Sequence, residues 1–229
     1  MENNLEQFSL SFGAFLDANR TWILMAAGLM LVLGAVFLLR RKGAAKSSWT
    51  IRELSAAAMC LALAFLLSYL RLWRMPQGGS ITPASMLPVM LFAYVFGTPK
   101  GLIVGLAYGF LQCLQDFWIV HWAQFLLDYI LGFTVLGLAG VFRKNIIAGM
   151  AIAGLLRFGM HVVSGVVFFA EYAGDQPVLW YSLSYNSFAL IDLAICIVIT
   201  AIPPVYNMVK SLKSRLGKPT PASANTSAA

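Results

Sequence analysis

The chain has 229 residues, of which 60% are hydrophobic and only 11% charged, and it carries a formal net charge of +7. That balance excludes an ordinary soluble domain, and several apolar runs are long enough, at about 18 residues or more, to cross the roughly 30 Å hydrocarbon layer as helices. The basic residues gather at the ends of apolar runs instead of forming a stripe interleaved with exposed aromatics, so the charge points to membrane topology and away from nucleic acid.

Helices are predicted over residues 21–39, 53–73, 84–97, 100–115, 121–142, 146–170 and 179–208, an all-α polytopic bundle in the lipid bilayer. The first run is followed, not preceded, by the basic cluster Arg40, Arg41, Lys42 and Lys46, which favours a retained helix inserted N-out over a signal peptide. Lys100, Arg143, Lys144 and Lys210 to Lys218 recur at alternate connections, placing the N-terminus outside and the C-terminus in the cytoplasm. Residues 1–46 then form an outer segment, one extra helix and a basic linker, residues 47–210 the core, and residues 211–229 a disordered polar tail. Cys60, Cys113 and Cys196 lie in apolar runs without CxxC spacing, which indicates neither a disulfide framework nor a metal site.

The stretch MPQGGSITPASMLP, residues 75–88, joins the second and third predicted helices on the outer face. Gly78 and Gly79 permit backbone angles closed to other residues, while Pro76, Pro83 and Pro88 restrict the chain elsewhere. Both a plain surface turn and a segment folded back over the bundle fit these residues.

Ionisable groups inside apolar helices are costly, so Asp128, Arg157, His161 and Asp192 are candidate functional residues. Arg157 and His161 stand four residues apart, on one helix face, and Ser164 and Gly165 continue it. Tyr181, Tyr185 and Asn186 open the last helix at the same outer level, and aromatic residues crowd the outer helix ends. One alternative is an internal ion pair of Arg157 with Asp128 or Asp192. The other is a receptor for a flat, cationic, nitrogen-rich heterocycle, with rings for stacking and Asp128 as a charged acceptor. No GxSxG, HExxH, paired-aspartate pattern or P-loop occurs, so no catalytic residue and no cofactor are expected. A hydrolase using His161 and Ser164 is the contrasting class, but no third group to orient the pair is visible in the sequence.

Five stretches carry a family resemblance: MPQGGSI at 75–81, MLP at 86–88, QFLLDYILGF at 124–133, LLRFGMHVVSGVVFF at 155–169 and YSLSYN at 181–186. Together they resemble the thiamine-specific substrate-binding (S) components of energy-coupling factor transporters, of the ThiT type. The resemblance implies a six-helix core that captures thiamine from outside and joins a transmembrane coupling protein and two ATPase subunits. It implies a lid over residues 75–85, including Gly78, Gly79 and Ser80, and a thiamine site formed by Asp128, Tyr129, Arg157, His161, Tyr181 and Asn186. Tyr108 and Phe169 stand where some relatives carry stacking tryptophans, and Trp118 or Trp180 is available to replace that surface. Ala58 and Ala62, at small-xxx-small spacing, permit close helix approach. The resemblance assigns them to the coupling protein, with packing inside the bundle as the alternative. An S component for another vitamin is the nearest competing reading.

Overall fold

A computed structural model describes residues 49–115 and 118–217. The predicted helix at 21–39 and the end of the tail, from residue 218, lie outside the described residues. Helix α1 spans Ile51–Tyr69, α2 Leu87–Phe96, α3 Thr98–Gln112, α4 Trp122–Val141, α5 Ile146–Phe168, α6 Val178–Ala201 and α7 Pro203–Leu216. Between α1 and α2, strands β1 (Trp73–Arg74) and β2 (Ser80–Ile81) form an antiparallel hairpin with Trp73 opposite Ile81 and Arg74 opposite Ser80.

Local chemistry sets several of these ends. A capping box opens α1: Glu53 N–H donates to Thr50 Oγ1 at 3.3 Å and Thr50 N–H to Glu53 Oε2 at 2.9 Å. The side chains of His121 and Asn145 likewise accept from Ala123 N and Ala148 N at the starts of α4 and α5.

Helices α1, α4, α5 and α6 are long and apolar enough to cross a membrane. Helix α2, with 10 residues, rises only about 15 Å, half the hydrocarbon thickness. It is buried among its neighbours, with Val89, Met90, Phe92 and Ala93 at the centre of the core. The lower part of α4, Val135–Val141, winds as a 3₁₀-helix against α2 and α3. A Cβ on Gly137 would stand 2.3 Å from the Leu102 backbone nitrogen, so only glycine allows that approach.

Two boundaries differ from the sequence reading. Helix α1 ends at Tyr69, not 73, because Leu72 to Arg74 are drawn into the hairpin, where Leu72 N–H donates to Ile81 O at 2.9 Å. The last predicted helix, 179–208, is two helices. Ile202 is extended (φ −58°, ψ 123°) before Pro203 and Pro204, which start α7. Ordered structure therefore runs through Leu216, past the expected tail boundary at 210.

Helix α7 lays Val209 against the core, and its C-terminus is tied to α1 by Arg52, whose Nη2 donates to Leu216 O at 3.3 Å. Lys100 pairs with Glu53 at 2.5 Å, and Lys213 donates to Arg143 O. The basic connections thus meet at one end of the bundle, opposite the hairpin.

Candidate functional site

Beneath the hairpin, α3, α4, α5 and α6 enclose a cavity of about 110 Å³. Its acidic wall is Asp128, set in a π-helical turn of α4, Leu126–Leu131. Such turns insert an extra residue into the helical ladder and frequently occur at functional sites. Three donors converge on this carboxylate: Gln124 Nε2 and Ser164 Oγ, each 2.7 Å from Oδ2, and His161 Nδ1, 2.9 Å from Oδ1. Because the carboxylate accepts from Nδ1, the other ring nitrogen of His161, Nε2, is left buried without a partner, on a residue that lines the cavity.

Arg157 lies one turn before His161 on α5, with its guanidinium 4.0 Å from the centre of the Phe133 ring. The bonded partner of Asp192 is Thr82, whose hydroxyl and N–H donate to Oδ1 at 2.8 and 3.3 Å. Asp128 and Asp192 are therefore hydrogen-bonded by other groups, and Arg157 makes no direct ion pair with either, although it stays close enough to Asp192 for their charges to attract. Likewise, Ser164 donates to Asp128 and not to His161, so the nucleophile–base bond that a hydrolase needs is missing.

Buried polar atoms normally find partners. Among the described residues, the buried side-chain atoms without a hydrogen-bond partner are Gln77 Oε1, Gln112 Nε2, Arg157 Nε and Nη1, His161 Nε2 and Tyr181 Oη, and every one belongs to a residue lining the cavity. Both donors and acceptors are in this set, and together with the rings of Trp118, Tyr129, Phe169 and Phe188 they form a polar, aromatic enclosure.

Asp128, Tyr129, Arg157, His161, Tyr181, Asn186, Phe169 and Trp118 all line the cavity, as do Gly78, Gly79 and Ser80 of the hairpin. Tyr108 does not. It is fully buried below, donating to Ala64 O at 3.1 Å and meeting Phe133 edge-on, so it supports the wall from behind. Of the two compensating tryptophans, Trp118 lines the cavity and its N–H donates to Tyr129 Oη at 3.1 Å, whereas Trp180 is 64% exposed. Sequence reading missed Gln112, Gln115 and Gln124, and named Gln77 only as part of the lid. The spacing of Gln112 and Gln115 in the apolar run GFLQCLQ was the available signal, since residues three apart share a helix face.

The hairpin roofs the cavity through residues of α6. Gly78 and Gly79 both hold positive φ, +86° and +85°, and a Cβ on Gly79 would come within 2.6 Å of the Phe188 ring. Tyr185 Oη accepts from Gln77 N–H at 2.8 Å and donates to Gly78 O at 3.0 Å.

Long apolar helices around a roofed, polar cavity define a multi-pass membrane protein that encloses a small ligand. Residues 54–212 match the model of the thiamine transporter protein family (Thia_YuaJ), and the chain belongs to that family. It is 32% identical over 161 residues to the thiamine transporter ThiT of Bacillus subtilis (strain 168), a match covering 60% of this chain and 83% of that one. A solved structure of ThiT from Listeria monocytogenes superposes with a TM-score of 0.63 at 25% identity, covering 71% of this chain and 97% of the other.

Proposed function

We propose that this protein is the thiamine-capturing S component of an energy-coupling factor importer. The observation that carries the reading is the set of unpartnered polar atoms around one cavity, beside a carboxylate and stacking rings. An aminopyrimidine offers both donors and acceptors to Gln112, Arg157, His161 Nε2 and Tyr181, and a thiazolium is a flat cation suited to the aromatic rings and to Asp128. Trp118, Tyr129, Phe169 and Asn186 complete the contacts, with Gly78, Gly79 and Ser80 closing the site from above. The protein does no chemistry on its ligand.

Capture from outside follows from the hairpin end of the bundle facing outward, with Lys100, Arg143 and α7 at the cytoplasmic end. Energy must come from elsewhere: a transmembrane coupling protein and two ATPase subunits. Helix α1 offers the docking face. Ala57 and Ala64 point into the bundle, whereas Ala58 and Ala62 are exposed on its outer side among the described residues, which supports a docking role for them.

Titration of the purified chain with thiamine, followed by tryptophan emission, tests the reading, because Trp118 lines the site. Saturable quenching at or below micromolar thiamine is expected. No change at that concentration sinks the assignment.

A further inference from the structure

We propose that Tyr185 is the clasp that holds the hairpin closed, so that its hydroxyl sets how fast a captured ligand escapes; the second half of this statement rests on the thiamine reading above. The pairing of β1 with β2 involves two residues on each side, far too few to hold a hairpin in place unaided. Among the described residues, α6 holds it at three points, and Trp118 lies beside Gly78 at the tip. At the foot, Thr82 is bonded twice to the buried Asp192. In the middle, the Phe188 ring fills the space beside Gly79. At the tip, a single hydroxyl serves two adjacent peptide groups, accepting from Gln77 and donating to Gly78.

These anchors are unequal. Asp192 and Thr82 are 3% exposed each, enclosed between helices, so the foot stays in place when the tip moves. Tyr185 is only half-buried, and the two peptide groups it serves are readily rehydrated. The tip therefore opens first, about the foot, when the Tyr185 bonds break. Tyr181, one turn earlier on the same helix, makes the contrast. Its hydroxyl has no hydrogen-bond partner among the described residues and is available to the ligand, whereas that of Tyr185 is engaged by the hairpin. Two tyrosines four residues apart thus divide the work between holding the ligand and holding the roof.

Tyr185→Phe removes the hydroxyl and keeps the ring against Tyr181 and Phe188. Two measurements test the clasp. The first is amide hydrogen exchange across residues 72–82 in the ligand-free chain, where Tyr185→Phe is expected to accelerate exchange at Gln77 at least tenfold and Tyr181→Phe to leave it as in the unmodified chain. The second is stopped-flow tryptophan emission with thiamine, where Tyr185→Phe is expected to raise the dissociation rate at least tenfold with association within threefold. Unchanged exchange at Gln77 overturns the clasp. So does a loss of affinity that arises wholly from slower association. Accelerated exchange in a protein whose unmodified form does not bind thiamine supports the clasp on the hairpin and overturns the ligand assignment instead.

Discussion

Replacing Asp128 by asparagine isolates the charge at the centre of the site without changing its shape. The carboxylate accepts from Gln124, Ser164 and His161, and asparagine cannot reproduce this pattern. If its amide nitrogen turns towards Gln124 and Ser164, it faces the Gln124 amide donor to donor, and Ser164 can bond it only by rotating its hydroxyl to accept. If it turns towards His161, the ring must accept at Nδ1, and its proton moves to Nε2, the buried atom without a partner. Either arrangement forfeits at least one charge-assisted hydrogen bond, about 1.5–3 kcal/mol, and leaves a cationic ligand beside a neutral group. A combined loss of about 2–4 kcal/mol corresponds to a dissociation constant weakened roughly 30- to 1,000-fold, at about 1.4 kcal/mol per decade. Tryptophan-emission titration of the purified variant measures it. An affinity within threefold of the unmodified chain would refute the placement of Asp128 against the ligand.

Three further substitutions separate roof, wall and docking face. Gly79→Ala adds a methyl within 2.6 Å of the Phe188 ring at φ +85°, a combined steric and backbone conflict; binding by the same titration is expected to weaken at least tenfold, and unchanged affinity would mean that the hairpin does not seat there. Tyr108→Phe deletes the hydrogen bond to Ala64 O and should lower stability by about 1 kcal/mol in a thermal melt, with thiamine affinity within twofold; a large loss of affinity would return Tyr108 to the ligand's contacts. Ala58→Trp, on the outer face of α1, should spare binding by the isolated chain and abolish uptake by cells, and persistent uptake would remove α1 from the coupling interface.

Much of this was legible in the sequence where a residue type conflicts with its surroundings. Asp128, Arg157 and His161 stand out because a charge or imidazole in an apolar run has few reasons to be there, and the structure brings all three to one cavity. Glutamine carries no such signal. Gln112 and Gln124 are neutral, lie near helix ends and are easily read as interfacial, yet both line the cavity, one with an unpartnered buried amide nitrogen and the other bonded to Asp128. Tyr108 was placed by its position in the motif pattern, and the pattern does not record which way a side chain turns. The hairpin strands are two residues long, too short for any alternation to register, so the apolar run through Leu72 and Trp73 read as helix. Pro203-Pro204 was a stop signal in plain view, outweighed by the apolar residues on either side.

Two irregular stretches of helix carry much of the site. Asp128 and Tyr129 sit in the π-helical turn of α4, and Asn186 and Phe188 flank Ser187, where α6 divides into Val178–Asn186 and Phe188–Ala201. In a hydrocarbon environment, backbone groups freed by such breaks must be satisfied within the protein, so irregular backbone survives only where it is enclosed or lines a polar cavity. Side chains on either side of the break in α6 meet the hairpin: Tyr185 above it binds the tip, while Phe188 and Asp192 below it hold the middle and the foot. Closing the roof therefore also fixes the two halves of α6 relative to each other. The same contacts that roof the cavity brace the helix that places Tyr181 and Asn186 in its wall, so the shape of the cavity and the seating of the hairpin depend on each other.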